Sequence, residues 1–281
     1  MSLPASLIKA FKVLSVQSDK AFDMFECALL ASKILQPSGE IDHYRPLIKG
    51  LSTALQIEYE YKIQNNSSLS AKVQALQKVL CNDHGFRGDE DAFDDLEHLN
   101  IFSLLDHKYG TSLSLSILFL QCARQCGWSA HALNFPGLCL IRIDEGAERI
   151  ILDPFNGCIE LKAYDLRQLL KIIAGAEAEL KPIYSQSLAP KSISLRHLNA
   201  MKLHFLRCQQ MGQALEILEA LTTLEPSSAA FWRETGLLQA RLNHIDDAII
   251  SLKTAVKLTS DLDTIRHTEH ILNDLIKKSL G

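Results

Sequence analysis

The hydrophobic pattern changes its period at Gly127, and this change limits the folds that the chain can adopt. Before Gly127, apolar residues recur at helical spacing. After it they form three short segments, at residues 130–135, 138–143 and 149–152, with Pro136-Gly137 between the first two. Short apolar segments bounded by turn residues are typical of β-strands. The sequence therefore predicts an α+β fold in which a small antiparallel sheet follows a helical region, with the last two strands paired as a hairpin.

Helical patterns precede these strands. Apolar spacing, cap residues and breakers predict three amphipathic helices and a fourth that is buried on much of its circumference. They span residues 18–35, 42–63, 71–81 and 113–126. The fourth begins at small hydroxyl residues, so its first backbone N–H groups lack partners within the helix. We interpret the acidic stretch at residues 88–98 as a solvated loop and helix start rather than as a metal site.

Charge and motif content argue against several classes of function. The 281 residues carry a formal net charge of −4, which gives no reason to expect nucleic acid or anionic lipid as a partner. The chain shows no signal-peptide pattern and no 18-residue apolar run, so we expect a cytoplasmic protein without a membrane segment. Seven cysteines in apolar contexts are typical of reduced thiols. Phosphate-loop and metalloprotease motifs do not occur, and we expect no cofactor and no metal.

The C-terminal part of the sequence repeats itself. Three pairs of small or apolar residues lie 34 positions apart: Ala214 and Ala248, Leu218 and Leu252, and Leu224 and Leu258. This period is typical of tetratricopeptide repeats, which are pairs of helices. We predict repeats at about 195–228 and 229–262 and a capping helix at 263–280. The first repeat departs from the usual pattern at Lys202, where glycine is typical.

A linker is predicted between the two regions. The stretch "KPIYSQSLAPKS", residues 181–192, contains two prolines and few apolar residues suited to a core. The predicted domains are therefore residues 1–185, with a core at 40–180, and an all-α repeat domain at residues 193–281.

A helix start followed by two strands is an arrangement that suits nucleophilic catalysis. The helix terminus presents a nucleophile, and the strands present a base and the carboxylate that orients it. If Ile143 pairs with Glu148 across the hairpin, Leu138 lies directly opposite Asp153 on the same face of the sheet. The carboxylate then faces a leucine instead of a base.

The chain resembles a known family in these segments. The stretches "YGTSLSLSILFLQCARQCGW", "NFPGLCLIRI" and "LDPFNG" resemble the transglutaminase-like core of the bacterial SirB family, which also carries C-terminal tetratricopeptide repeats. The resemblance covers nearly the whole chain and is most specific between Gly110 and Gly157. It implies a papain-type fold with a Cys–His–Asp triad. The cysteine position falls near Ser114, the histidine position at Leu138 and the aspartate position at Asp153.

Two of the three triad positions are thus changed. Leucine offers no lone pair and no proton, and a serine hydroxyl is a poor nucleophile without a base. The resemblance and these changes predict a non-catalytic transglutaminase-like protein, a pseudoenzyme, whose former cleft or repeat surface binds a protein or peptide partner. We assign Ser112, Cys139 and Asn156 to that cleft. The sequence specifies neither the identity of the partner nor the oligomeric state.

Two alternative functions stay open. One is an active amide hydrolase or acyl transferase with a rearranged triad, in which His107, His131 or Cys139 replaces the missing group. The other is a structural scaffold. Asp153 also has a simpler interpretation, because "DPFNG" is typical of a turn.

A metal site has little support in the pattern. Cys122 and Cys126 lie one helical turn apart, and Cys139 or Cys158 would have to complete a set of soft ligands. No CxxC pair and no group of histidines accompanies them. Buried cysteines commonly act as small apolar residues, and we interpret these four in that way.

Overall fold

The computed structural model describes residues 3–89 and 95–280, which form two compact units. One unit is Asp19–His197. The other consists of the described parts of Met1–Ser18 and Leu198–Gly281. The helices of the described chain are α1 (Ala5–Ser15), α2 (Met24–Leu35), α3 (Ile41–Lys62), α4 (Ser68–Leu76), α5 (Leu96–Leu99), α6 (Ile101–His107), α7 (Ser112–Gln125), α8 (Ala163–Ala174), α9 (Pro190–Arg207), α10 (Met211–Leu224), α11 (Ala229–Arg241), α12 (Ile245–Leu258) and α13 (Leu262–Leu280).

Local capping determines where several of these helices begin. The Asp23 carboxylate accepts a hydrogen bond from the Glu26 backbone N–H at 2.9 Å, so α2 begins after Asp23 and not at Ser18, where the sequence placed its start. The Thr111 hydroxyl accepts from the Ser114 backbone N–H at 3.1 Å and begins α7. A π-helical segment, Gln77–Asp83, continues α4.

The strands form two small sheets. In the first, β1 (Arg87–Gly88) and β2 (Tyr109–Gly110) pair in parallel. In the second, four strands pair antiparallel in chain order: β3 (Ser129–Ala132), β4 (Ile141–Glu145), β5 (Glu148–Asp153) and β6 (Ile159–Leu161). A mostly helical chain with a small antiparallel sheet is an α+β fold, as predicted from the sequence.

Two details of the predicted sheet are wrong. Strand β4 begins at Ile141, so Leu138 lies in the loop before the strand. Ile143 pairs with Ile150 and not with Glu148, a shift of two residues from the predicted register. The shift arises because only Gly146 and Ala147 form the turn, and Gly146 adopts the positive φ, 59°, that suits a tight hairpin. Leu138 is therefore not a cross-strand partner of Asp153.

Helix α7 lies at the centre of the Asp19–His197 unit. Its residues Leu115, Ile117, Leu118, Phe119 and Leu120 are all fully buried, although they point in every direction around the helix axis. Helices α2 and α3 and strand β3 pack against it. A helix that is apolar on nearly all sides is stable only inside a core, so its N-terminus is held in one place by its surroundings.

The residues predicted as a linker are partly joined to the sheet. The Leu188 backbone N–H donates to Ala132 O at 2.9 Å, and the Asn134 backbone N–H donates to Gln186 O at 3.0 Å. A 3₁₀ turn, Pro182–Ser185, precedes this pairing, and α9 begins soon after it. The segment therefore extends the edge of the sheet beyond β3.

The second unit is helical throughout its described residues. Successive helices from α10 to α13 pack on one another, and α1 packs on α10 through its buried residues Leu7, Phe11 and Leu14. Residues 3–18, which the sequence placed in the N-terminal domain, thus belong with the C-terminal helices. Helices α10 and α12 begin at Met211 and Ile245 and end at Leu224 and Leu258, so both ends are displaced by 34 residues.

Two further sequence predictions concern the acidic stretch and membrane-spanning helices. The acidic stretch at residues 88–98 lies partly outside the described residues, since 90–94 are not described. Its described end forms α5, which Asp95 caps. Within residues 3–89 and 95–280, no helix combines the length and the apolar content that crossing a membrane requires.

We predict that His197 makes the stability of the Asp19–His197 unit depend on pH. The Nε2 atom of the buried His197 ring lies 2.7 Å from Leu99 O. Burial lowers the pKa of this ring to about 4. Between pH 6.5 and pH 4 the unfolded chain binds a proton there that the folded chain does not bind, so the free energy of unfolding decreases as the pH falls. The contribution lost over this window is about 3 kcal/mol.

Denaturant titrations at several pH values measure this contribution. His197→Gln keeps an N–H donor near Leu99 O and should flatten the pH dependence between pH 6.5 and pH 4. The matched control is His270→Gln, because the His270 side chain is 76% exposed and its loss should leave the slope unchanged. Identical slopes for wild type and His197→Gln would contradict the prediction.

Candidate functional site

The site is built around the N-terminus of α7. Thr111 caps the helix, and Ser112 is its first residue. The loop 133–140, which carries Leu138 and Cys139, lies against this terminus between β3 and β4. The hydroxyl-rich helix start and the Pro136-Gly137 turn were expected from the sequence, whereas Leu138 and Cys139 were expected in the following strand and lie in the loop.

Two serine side chains hold the loop backbone to the helix. The Cys139 backbone N–H donates to Ser112 Oγ at 3.3 Å, and the Ser116 hydroxyl donates to the Cys139 carbonyl oxygen. Ser112 and Ser116 are four residues apart, so they share one face of α7. Both side chains are buried. The peptide units on either side of Cys139 are thereby bound in a water-excluded position.

Ser114 points elsewhere. It lies two residues from Ser112, which places it on the far side of the helix. Its side chain is fully buried, and its hydroxyl donates to His98 O at 2.6 Å and lies 3.0 Å from Thr111 Oγ1. The serine that the resemblance matched to the nucleophile therefore faces α5, whereas Ser112 faces the loop that carries Leu138.

Leu138 is a packing residue. It is partly buried and packs against a cluster of buried apolar side chains: Leu133, Phe135, Leu140, Leu161, Leu166 and Leu170. The preceding Gly137 has a φ of +71°, and a Cβ there would lie 2.8 Å from Cγ2 of Ile173 in α8. Helix α8 thus lies close over the loop, and Leu138 extends the apolar core beneath it.

Asp153 ends β5 and organises the turn that follows. It is 1% exposed, and its carboxylate accepts from the Phe155 backbone N–H at 3.0 Å and from Asn156 Nδ2 at 2.7 Å. Its backbone carbonyl accepts from the Cys158 N–H at 2.8 Å. The hydrogen-bonding capacity of the carboxylate is therefore directed into its own turn, which agrees with the simpler interpretation of "DPFNG".

Backbone contacts join the Asp153 turn to the start of α7. The Gly88 N–H donates to Phe155 O at 2.9 Å, and Gly88 pairs with Gly110 in the two-stranded sheet. A Cβ at Gly88 would lie 2.3 Å from the Phe155 ring, so only glycine permits this approach. The three sequence segments that carried the predicted triad are thus brought into one neighbourhood.

Neither His107 nor His131, the two histidines considered from the sequence, hydrogen-bonds Ser114 or Asp153 in the described chain. His131 Nε2 lies 3.6 Å from Asp144 Oδ2 and 3.1 Å from Ser129 Oγ, and burial lowers its pKa. His107 is exposed and lies 3.2 Å from Ser103 Oγ. In the described chain the hydrogen bonds of Ser114 and Asp153 involve neither an imidazole nitrogen nor a sulfur atom.

The cysteines of this unit are poor nucleophiles. Burial raises the pKa of Cys139 to about 11 and the pKa of Cys122 to about 12. It also raises the pKa of Cys126 to about 11 and that of Cys158 well above its ordinary value. A thiol needs to ionise before it attacks a carbonyl carbon or binds a metal. In residues 3–89 and 95–280, no three His, Cys, Asp or Glu side chains group closely enough to hold a metal ion.

Ser116 is the contact residue that sequence reasoning missed. The alternating run "SLSLS" at residues 112–116 contains the signal, because helical geometry puts its first and last serines on one face and its middle serine on another. Which face meets the loop depends on the packing of α7, and the run itself does not specify it.

Comparisons with known proteins identify relatives that match most of the chain. The sequence matches the family model of the transglutaminase-like superfamily over residues 48–199. A UPF0162 protein of Xylella fastidiosa is 24% identical over 278 residues, which cover 96% of this chain and 98% of the relative. A UPF0162 protein of Vibrio cholerae is 27% identical over 227 residues, which cover 79% of this chain and 81% of the relative.

Among solved structures, a crystal structure of menin that reveals its binding site for the Mixed Lineage Leukemia protein covers 99% of this chain and 77% of its own. The identity is 10% and the TM-score is 0.35, a value too low to establish a shared fold.

We predict that the close contact over Gly137 makes this loop sensitive to an added methyl group. Gly137→Ala introduces both a positive-φ alanine and a clash with Ile173, and should lower the free energy of unfolding by about 2 to 3 kcal/mol. Gly146→Ala is the matched control, since Gly146 has a φ of +59° and open space around it. It should cost about 1 kcal/mol.

Thermal or denaturant unfolding of both variants measures the difference. Adding Ile173→Ala to Gly137→Ala should recover part of the loss, because the clashing branch is removed. Equal losses at Gly137 and Gly146 would show that α8 does not press on the loop.

The raised thiol pKa values predict selective alkylation. At pH 8 the exposed Cys208 should react with iodoacetamide, while Cys139 stays unmodified because it is buried and almost entirely protonated. Mass spectrometry of peptides from native protein and from denatured protein measures the two rates. Modification of Cys139 in the native protein as fast as that of Cys208 would indicate an accessible, ionised thiol.

Proposed function

Because this chain belongs to the transglutaminase-like superfamily, whose model matches more than half of its length, we propose that it is a non-catalytic member that binds a protein or peptide partner. It works in the cytoplasm and uses no cofactor. It retains the scaffold of a catalytic site, and its C-terminal helices supply a second surface for recognition.

The environment of Leu138 carries this proposal. The resemblance to the SirB family places the catalytic histidine at this position. A histidine base would need a polar partner and access to substrate, whereas Leu138 packs on an apolar cluster beneath α8. Leucine cannot exchange a proton, and its surroundings are suited to an apolar side chain. The residue type at position 138 and its apolar surroundings therefore both argue against a catalytic base there.

The nucleophile position supports the same conclusion. Ser112 and Ser114 both begin α7, where the helix dipole would favour an anion. Ser112 accepts from the Cys139 backbone and Ser114 donates to His98 O, so each hydroxyl is engaged with backbone. Neither contacts a base within the described residues. An unactivated serine hydroxyl does not attack an amide at a useful rate.

The third position contributes structure. The Asp153 carboxylate is satisfied by Phe155 N–H and Asn156 Nδ2, whereas in a triad it would orient an imidazole. The segment that once completed a triad now stabilises a turn.

We assign the binding function to the helical unit as well as to the former cleft. Helices α9 and α10 and helices α11 and α12 follow the 34-residue period, and we propose that they are tetratricopeptide repeats capped by α13. Arrays of this kind expose extended concave surfaces that bind peptides. This assignment supports protein recognition more than a purely structural role.

The test restores the missing groups and asks whether catalysis returns. Wild-type protein should show no hydrolysis or transamidation of glutamine peptides and amide substrates. Ser112→Cys with Leu138→His should regain measurable turnover if the scaffold is intact, because a thiol at the helix start would then have a base.

Ser114→Cys with Leu138→His is the matched control. Ser114 faces α5, so this pair should stay inactive, and each single substitution should be inactive as well. Turnover by wild-type protein that is lost in Ser112→Ala would overturn the non-catalytic assignment and favour a hydrolase or acyl transferase with a rearranged site.

A further inference from the structure

A groove of about 270 Å³ lies between α9, α10 and α11. Its apolar lining consists of leucines: Leu203, Leu206, Leu218, Leu237 and Leu238. Leu218 and Leu238 are buried and form the floor, while Leu203 is 48% exposed at the rim. An exposed leucine beside a buried leucine floor gives an apolar side chain of a partner somewhere to bury itself.

The groove occurs where the first helical hairpin departs from the second. In the second hairpin, Gly236 of α11 touches α12 so closely that a Cβ would lie 2.6 Å from Leu252 Cγ. The positions 34 residues earlier are Lys202 and Leu218, and both line the groove. Lysine in place of glycine thus puts a long charged side chain where the second hairpin has close contact between helices.

The charges in the groove do not balance. The buried Lys202 ammonium pairs with the Glu234 carboxylate. Arg241, at the end of α11, also lines the groove, is exposed and has no carboxylate partner among the described residues. Two cations and one carboxylate leave one positive charge uncompensated, although the whole chain has a net charge of −4.

We infer that this groove binds a protein segment in which a leucine-like side chain stands next to an aspartate or glutamate. This inference rests on the proposed binding function and names the chemistry of its partner. Burial of the apolar side chain on the leucine floor supplies affinity, and the Arg241 guanidinium selects for the carboxylate. A segment with lysine or arginine instead of the aspartate or glutamate would place a second positive charge beside Arg241. No groove carboxylate would be free to offset that repulsion, since Lys202 already engages Glu234.

Selection from a random 12-residue peptide display library on the full-length protein tests the inference without assuming a sequence. The enriched peptides should combine large apolar residues with Asp or Glu. One enriched peptide, labelled with fluorescein, is then titrated by anisotropy. Arg241→Glu and Leu203→Ser should each weaken binding by about tenfold. The control is Lys253→Glu, because Lys253 is exposed on α12 and outside the groove, and it should leave the affinity unchanged.

Exchanging the charges of the peptide and of residue 241 tests their pairing most directly. Replacing the peptide carboxylate by lysine should weaken binding to wild type and restore binding to Arg241→Glu. Enriched peptides that lack a carboxylate, or that bind wild type and Arg241→Glu equally, would overturn the inference while leaving peptide binding in place. A selection that enriches no peptide would overturn the inference, but not the binding of a folded protein partner by the former cleft. Unchanged circular dichroism spectra and melting temperatures show that each variant is folded.

Discussion

The candidate site of this protein depends on the burial of α7. Its apolar residues are buried on every side of the helix. Close packing therefore holds α7 in one position and fixes its N-terminus. Ser112 and Ser116 then hold the backbone at Cys139, and through it the loop that carries Leu138. In an active relative of this architecture, the same rigidity would align a nucleophile with its base. Here it aligns backbone groups and an apolar side chain.

The proposed loss of catalysis is compatible with retention of the fold, because different groups are responsible for them. The helix start, the Pro-Gly loop and the Asp153 turn are stabilised by backbone hydrogen bonds and small side chains, and none of these requires a thiol or an imidazole. Asp153 illustrates the point, since its carboxylate satisfies Phe155 and Asn156 within the turn. Leu138 gains burial that a polar histidine would not gain. The framework therefore does not depend on the groups that a catalytic triad would need.

The two helical hairpins show how one residue changes a surface. Gly236 brings α11 against α12, whereas Lys202, 34 residues earlier, occupies the equivalent place with a charged side chain. Because the ammonium group is buried, it needs a carboxylate, and Glu234 provides it. That engagement leaves Arg241 as the charge that the proposed partner would meet. Comparing positions 34 residues apart thus identifies where the two hairpins differ.

Much of the architecture followed from sequence alone. Helical spacing and turn residues predicted α2, α3 and α7 and the sheet after Gly127, since periodicity reports directly which face of a segment is buried. The period of 34 predicted pairs of helices over residues 195–262, where the structure has α9 to α12. The strand β6 and the true start of β4 were missed, because short strands carry little periodic signal. The sequence also showed that position 138 holds a leucine and not a base.

Tertiary structure decided the rest. The hairpin register depended on a two-residue turn, and the two-residue shift removed Leu138 from the position opposite Asp153. Whether Ser112 or Ser114 faces the loop depended on the rotation of α7 in its core, which neighbouring helices and β3 set. The sequence by itself determined which residues were available for chemistry, because side-chain type is local. Only packing decided which of them meet, because contacts between distant segments depend on the whole core.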